Sequence, residues 1–267
     1  MQTPHFDVIV IGAGLSGICA GYYLEERCPG KSFAILEGRE APGGTWDLFE
    51  YPGVRSDSDM HTLGFSFRPW PDPEAIADGP AILEYLHETI EETGLDRRIR
   101  YNHRVESVSW SSSEGRWRVR SRHPETGAEQ RFTCEFLWCC TGYYRYDRGH
   151  MPDFPGTESY EGELVHPQFW TDEIAYADRE VVVIGSGATA VTLVPAMAER
   201  ASRVTMLQRS PSYVMSLPEE DVVSQWLERL LGERIGAALT RLKKVNSLMI
   251  FYQFCRRMPE TARAFVI

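Results

Sequence analysis

The sequence has six cysteines but no Cys-x-x-Cys pair, and no Cys/His spacing in it suits zinc. A two-nucleotide thiol–disulfide reductase and a zinc module are therefore disfavoured, and no metal site is expected. Free thiols fit a reducing compartment, so the sequence reads as cytoplasmic. Cys139 and Cys140 are neighbours in an apolar run and should face opposite sides of a strand, which argues against a redox pair. There is no apolar run of membrane-spanning length. The first apolar run is short and leads straight into a glycine turn, so no secretory leader is expected. Basic charge is also in deficit: 28 Lys and Arg stand against 38 Asp and Glu, a net charge of −10, which disfavours a nucleic-acid partner. The composition is 43% apolar over 267 residues, enough for a sizeable core in one large domain or two small ones.

The chain is organised around Asp7-Val8-Ile9-Val10-Ile11-Gly12-Ala13-Gly14-Leu15-Ser16-Gly17. An apolar strand-like run meets a Gly-x-Gly-x-x-Gly turn, a helical pattern follows over 15–27, and a second apolar run, 33–36, closes on Glu37. This is a βαβ unit with a dinucleotide fingerprint in the required context. Gly12 permits the tight turn, Gly14 allows close approach of a pyrophosphate, and Gly17 lets the helix pack near the sheet. The helix N-terminus offers free N–H groups to phosphate, and Glu37 is placed to accept hydrogen bonds from a ribose.

Residues 38–72 are punctuated by glycine and proline, as in Ala41-Pro42-Gly43-Gly44-Thr45-Trp46 and Tyr51-Pro52-Gly53-Val54-Arg55-Ser56-Asp57. Long loops in compact domains are usually functional, and the aromatics here argue against disorder, so this stretch is expected to line a cofactor. A helix is expected over 80–93, with Ile82, Leu83, Leu86 and Ile90 on one face and Gly94 as its stop. Alternating segments at 104–110, 116–121 and 130–136 predict a β-meander, and Phe136–Cys140 reads as a buried strand whose end, Thr141-Gly142, approaches the first site.

A second copy of the opening pattern follows a loop-rich stretch. Val181–Ile184 reads as a strand, Gly185-Ser186-Gly187-Ala188-Thr189-Ala190 as the turn, and 204–207 as the closing strand. Ala190 stands in for the third glycine. The first copy ends in an acid, but the second ends in Gln208-Arg209, and a cation there favours a 2′-phosphate. The first site is accordingly read as FAD and the second as NADP. The plain alternative for Arg209 is a solvated strand-end charge. From about Glu219 onward the pattern is helical, with Val222, Trp226, Leu227, Leu230, Leu231 and Ile235 at helical spacing. The apolar run 245–255, flanked by basic residues, could lie on a membrane surface. Packing on further protein or over a substrate path is the preferred reading.

Between the two units lies Tyr160-x-Gly162-x-x-x-His166-x-x-x-Trp170. It resembles the Baeyer–Villiger fingerprint Phe-x-Gly-x-x-x-His-x-x-x-Trp of the flavin-dependent class B monooxygenases, with Tyr for Phe at the first position. The segments Gly43–Phe49, Arg55–Met60, Ile184–Pro195 and Thr205–Pro211 resemble the N-terminal part of the ethionamide-activating group of that class. The resemblance implies two Rossmann-like domains in an α/β fold, FAD first and NADP second. It implies a FAD-binding domain over 1–145, a linker over 146–175 carrying the fingerprint, and an incomplete NADP-binding domain over 176–267 with a helical tail.

The residues implied for flavin are Gly12, Gly14, Ser16, Gly17, Glu37, Gly44, Thr45, Trp46, Asp47, Leu48, Asp57 and, through its backbone, Val105. Those implied for NADP are Gly185, Ser186, Gly187, Ala188, Thr189, Ala190, Val191, Gln208 and Arg209. Arg55 and Ser56 match the place where nicotinamide meets flavin. Asp57 matches a catalytic acid that orients an active-site arginine; by itself it reads as a loop carboxylate capping a turn. His166 and Trp170 match linker residues that affect domain motion. The implied activity is insertion of one oxygen atom from O₂ into a ketone at the expense of NADPH, with S-oxygenation of thioethers as a side activity. The family's arginine would come from beyond residue 267, and Arg55 is not its counterpart. The chain therefore reads as a fragment, and two alternatives stay open: an N- or S-oxygenating flavin monooxygenase, and a non-catalytic remnant that at most binds nucleotide.

Overall fold

The computed structural model describes residues 3–210 and 221–266. The chain divides into two compact units. The first comprises residues 1–49 and 80–169, the second 50–79 and 170–267. This division differs from the sequence-based layout in giving 50–79 to the second unit, and its boundary falls between Phe169 and Trp170, inside the fingerprint.

In the first unit, β1 (His5–Ile11), α1 (Leu15–Arg27) and β2 (Phe33–Leu36) form the expected βαβ unit. After α2 (Thr45–Leu48) the chain leaves this unit, makes α3 (Met60–Leu63) in the second, and returns with α4 (Gly79–Thr93). The strands β3 (Ile99–Arg100), β4 (Arg104–Ser111), β5 (Arg116–Arg122) and β6 (Glu129–Cys139) complete a six-stranded sheet ordered β3-β2-β1-β6-β5-β4. Strands β3, β2, β1 and β6 run parallel to one another; β6-β5-β4 is an antiparallel meander. The core follows the pattern of the sequence. Ile9, Val10, Ile18, Ile35 and Leu36 are buried, as are Ile82, Leu86 and Ile90 along one face of α4, while Glu84, His87 and Glu88 face solvent. Gly94, in the left-handed region at φ 62°, ends α4 as expected.

One expectation is corrected. The third meander segment and the run Phe136–Cys140 are a single strand, β6, and its second half is not buried: Phe136 is 57% and Trp138 42% exposed. Residues 132–139 contain no Gly, Pro, Asn or Asp to break the strand. Strand β5 pairs with β6 only as far as Cys134, so beyond it β6 keeps β1 on one edge and no strand on the other among the described residues. The apolar sequence of a covered strand is present without the covering layer. Cys139 is exposed and Cys140 half-buried; burial pushes the Cys134 thiol up to about 11.

In the second unit, β7 (Glu180–Ile184), α5 (Ala188–Ala198) and β8 (Arg203–Leu207) repeat the βαβ plan as a two-stranded parallel sheet. Val182 and Ile184 are 62% and 55% exposed. The helical tail comprises α6 (Val222–Leu231), α7 (Glu233–Arg257) and α8 (Pro259–Val266); Pro211 and the expected helix start at Glu219 lie outside the described residues. Much of the apolar stripe of α6 faces outward, including Val222, Trp226 and Leu230. Among the described residues no helix is long and apolar enough to cross a membrane.

Asp221 ties the tail together. Its carboxylate caps α6 by accepting from Ser224 N–H at 3.1 Å. It also takes Lys243 Nζ at 2.7 Å and Lys244 Nζ at 2.8 Å from α7. Burial alone would raise this carboxyl, but the two lysines and the Ser224 N–H outweigh it and hold the group far below the ordinary aspartate range. A carboxylate depressed in the folded state contributes stability above its unfolded value, which is lost as pH falls toward the folded value. Asp221→Asn is expected to lower the melting temperature at neutral pH and to reduce the loss of stability on acidification below about pH 4. Thermal melts of both proteins across that range test this; curves that stay parallel at every pH would rule it out.

Candidate nucleotide-binding sites

The first glycine turn is held by close backbone contacts, and the helix it opens has no side-chain cap. Gly12, at φ 100°, sits where a Cβ would come within 2.5 Å of the Cys140 carbonyl oxygen, so the carboxyl ends of β1 and β6 meet at this residue. A Cβ on Gly17 would overlap the Gly12 carbonyl oxygen. Gly14, at φ −79° and ψ −174°, is the N-cap of α1 and provides no side-chain cap. The first-turn N–H groups, Ser16 among them, therefore have no side chain competing for them, which is what an anionic ligand requires. Gly43 N–H donates to the Ala13 carbonyl at 3.0 Å, and a Cβ on Gly44 would stand 3.0 Å from Gly14 Cα. The Gly43-Gly44 segment thus crosses the turn backbone to backbone. It is followed by the short helix bearing Thr45, Trp46, Asp47 and Leu48, all half-buried.

Glu37 closes the arrangement. Its carboxylate is buried, accepting from Ala13 N–H at 2.7 Å and from Arg39 N–H at 2.9 Å. Its backbone is pinned as well: Glu37 N–H donates to the Arg100 carbonyl, and His103 N–H to the Glu37 carbonyl. These bonds bring the start of β4, with Val105 near its first residue, next to the end of β2, and Arg104 packs against Gly38. Each Glu37 oxygen keeps a second lone pair for a ribose hydroxyl.

The second turn reproduces the first. Gly12 N–H donates to the Leu36 carbonyl at 2.8 Å, and Gly185 N–H to the Leu207 carbonyl at 2.9 Å. Gly187 caps α5 at φ −80° and ψ −175°, nearly the values of Gly14, again with no side-chain cap. Gly185 lies at φ 141°. Ala188 and Thr189 open the helix, Ser186 and Val191 are half-buried, and Ala190, at the position of Gly17, is buried with its methyl accommodated. By this register the counterpart of Glu37 is Gln208, and Arg209 follows it. Both are exposed, and neither carries a negative charge.

Arg55, Ser56 and Asp57 belong to the second unit. A turn through Gly53, at φ 79°, packs on α5, where a Cβ would come within 2.6 Å of the Thr192 carbonyl oxygen. Gly79 N–H donates to the Val54 carbonyl, Ser56 N–H to the Ala77 carbonyl, and the backbone of Arg55 forms an isolated antiparallel β-bridge with Asp78. Ser56 is therefore buried, whereas Arg55 and Asp57 are exposed. Asp57 has no hydrogen-bond or ion-pair partner among the described residues. The capping carboxylate is Asp59 instead, which accepts from Thr62 N–H at 3.1 Å. In the fingerprint, Tyr160 is exposed and the His166 ring packs on Gly149. The residue anchored there is Gln168, which the motif leaves unspecified; it is buried and donates to the Arg145 carbonyl at 2.7 Å. A cavity of about 370 Å³ beside α3 and α7, lined by Met60, Phe65, Trp70 and Leu242 among others, contains none of the predicted site residues. Among the described residues no group of His, Cys, Asp or Glu could hold a metal ion.

Two residues beside the first turn were not singled out from the sequence. Arg39 pairs with Asp47 at 2.9 Å, and its guanidinium lies 5.8 Å from the Tyr146 ring centre. The Tyr146 hydroxyl stands 3.4 Å from the Cβ position of Gly44. The only local signal for Arg39 was its position two residues after the strand-end acid. Tyr146 carried none, because its placement depends on a chain reversal more than 100 residues downstream. Glu37→Gln, which puts an amide NH₂ where an oxygen accepts an N–H, is expected to destabilise the chain by about 1–3 kcal/mol in urea unfolding. Gly17→Ala is expected to abolish the native packing of α1, and a wild-type urea midpoint for it would refute the overlap argument.

The chain is 51% identical over 263 residues to the FAD-containing monooxygenase EthA of Mycobacterium tuberculosis, covering 98% of this chain and 53% of the relative. Among solved structures it is similar to OTEMO in complex with FAD and NADP, at 29% identity and a TM-score of 0.68, covering 81% of this chain and 41% of that one. It is also similar to cyclohexanone-bound cyclohexanone monooxygenase in the rotated conformation, at 27% identity and a TM-score of 0.74, covering 91% and 45%. The chain thus spans about half the length of the curated relatives it matches. Residues 7–246 match the model of the FMO-like, flavin-binding monooxygenase-like family, and the chain belongs to that family.

Proposed function

We propose that this chain is the nucleotide-binding part of an NADPH- and FAD-dependent monooxygenase of the Baeyer–Villiger type, acting on ketones with O₂ to give esters or lactones. The observation that carries the proposal is the pair of matching uncapped glycine turns, one closed by an acid and the other by Gln208-Arg209. The acid suits a free ribose and the cation a 2′-phosphate. FAD accordingly takes Gly12, Gly14, Ser16, Gly17, Glu37 and the 44–48 segment, with Val105 at the adenine. NADP takes Gly185–Val191 with Gln208 and Arg209. The relative described as FAD-containing and the neighbour solved with FAD and NADP support the same assignment. The cyclohexanone-bound neighbour and Trp170 support a ketone as substrate.

When bound, the flavin supplies the redox chemistry that activates oxygen. This chain's residues bind and orient. The helix N-termini hold phosphates, Glu37 orients the adenosine end, and Arg55, Ser56 and Asp57 stand in the second unit for the nicotinamide side and for orienting a catalytic cation. An N- or S-oxygenating enzyme shares this site, and product analysis with a ketone and a thioether separates the two.

The purified 267-residue chain, desalted after incubation with FAD, is expected to carry a flavin absorption band in near one-to-one ratio; a colourless protein overturns the FAD assignment. Arg209→Ala is expected to weaken NADP binding by about tenfold, in line with about 1.5 kcal/mol for a hydrogen bond to a charged group, and to leave NAD binding unchanged. Calorimetric titration with both nucleotides checks this, and equal losses for the two would remove the 2′-phosphate argument.

A further inference from the structure

Beside the first glycine turn lies a guanidinium that the nucleotide contacts above leave unused. Arg39 follows the strand-end acid by two residues, and its backbone N–H is held on the Glu37 carboxylate at 2.9 Å. Its Nη2 donates to the Asp47 carbonyl at 3.2 Å and lies 2.9 Å from Asp47 Oδ2. Its Cζ lies over the Tyr146 ring, 5.8 Å from the ring centre. Its other terminal nitrogen, Nη1, is buried and has no acceptor among the described residues. Buried donors in folded proteins are paired almost without exception, and an arginine cannot escape the requirement by losing its charge. The guanidinium is a planar fork, and pinning Nη2 on Asp47 fixes the direction in which Nη1 points. The surroundings say which ligand it meets. Arg39 is tied to Glu37, whose carboxylate reaches the Gly12–Gly17 turn, and it faces the ring of Tyr146, whose hydroxyl borders the crossing of Gly44 over Gly14.

We propose that Arg39 is a further cofactor-binding residue: Nη1 donates to an acceptor oxygen on the adenosine diphosphate half of FAD, and Asp47 and Tyr146 hold the guanidinium in place for it. This rests on the FAD assignment of the first turn. Arginine is required because one nitrogen stays on Asp47 while another serves the ligand; a lysine has a single nitrogen for both.

The test is fluorescence titration of the 267-residue chain with FAD, together with displacement by ADP and by adenosine, for wild type, Arg39→Met and Arg39→Lys. Arg39→Met is expected to weaken FAD and ADP by similar factors of about 10- to 100-fold, the range of a hydrogen bond to a charged group, and Arg39→Lys by a smaller factor. A loss shared by adenosine identifies a ribose oxygen as the acceptor, and a loss confined to FAD and ADP identifies a phosphate. Melting of the ligand-free proteins separates a merely structural role, which would lower stability and leave the affinities of the folded variants at the wild-type value. Wild-type affinity in folded Arg39→Met overturns the assignment of Arg39 and leaves the FAD site standing. Failure of the wild-type chain to bind FAD overturns the FAD reading itself, and the Arg39 assignment with it. Should Arg39→Met not fold, Arg39→Lys decides: undiminished affinity for ADP overturns the proposal.

Discussion

The carboxylate of Glu37 connects a strand end to a turn 24 residues earlier, and the first unit's site is built outward from that bond. Ala13 N–H lies in the middle of the Gly-x-Gly turn, and its hydrogen bond to Glu37 Oε2 sets the turn's distance from the end of β2. An ionised acceptor roughly doubles the strength of such a bond relative to a neutral one, and burial keeps water from competing for it. With the turn held, the Gly12 carbonyl points where only a glycine at position 17 can pass, and the helix that begins between them has no side-chain cap on its first turn. The other Glu37 oxygen takes the Arg39 N–H and so steers the chain into the segment that returns over Gly14.

The second unit shows what changes when that bond is absent. Gly187 adopts nearly the backbone angles of Gly14, and Gly185, like Gly12, has a positive φ, so the turn itself needs only glycines and the strand-to-strand bond from Gly185 N–H to the Leu207 carbonyl. Gln208 replaces the acid and stays exposed, its amide donating to Met206 Sδ at 3.4 Å. A neutral amide followed by a cation leaves the end of this strand without negative charge. The two turns therefore share a phosphate-binding form and differ in the electrostatics of their rims, and this difference separates the two nucleotides in the proposed function.

Most of the elements near the sites were legible locally. The limits of α1 and β2 follow from the switch between periods of 3.6 and 2, and Gly94 marks the end of α4 through its left-handed backbone. Legibility ended where a residue's environment comes from distant chain. Phe136–Cys140 has the composition of a buried strand, yet its exposure depends on which strands reach its edge, and β5 pairs with β6 only as far as Cys134. Asp57 and Asp59 are alike as residues in a polar loop; the structure gives the capping role to Asp59 because α3 starts one residue after it.

The sequence by itself determined the two βαβ units, the glycine positions and the acid-versus-cation contrast at their ends. These rest on turn chemistry and periodicity within about 30 residues, where backbone sterics leave few options. Tertiary structure decided which partners the Glu37 oxygens take, that Arg39 is pinned with one nitrogen unspent, and that 50–79 belong with the second unit through Gly53 on α5. Such contacts join residues far apart in the chain, and their selection depends on the shape and burial of the packed whole, which no local pattern encodes.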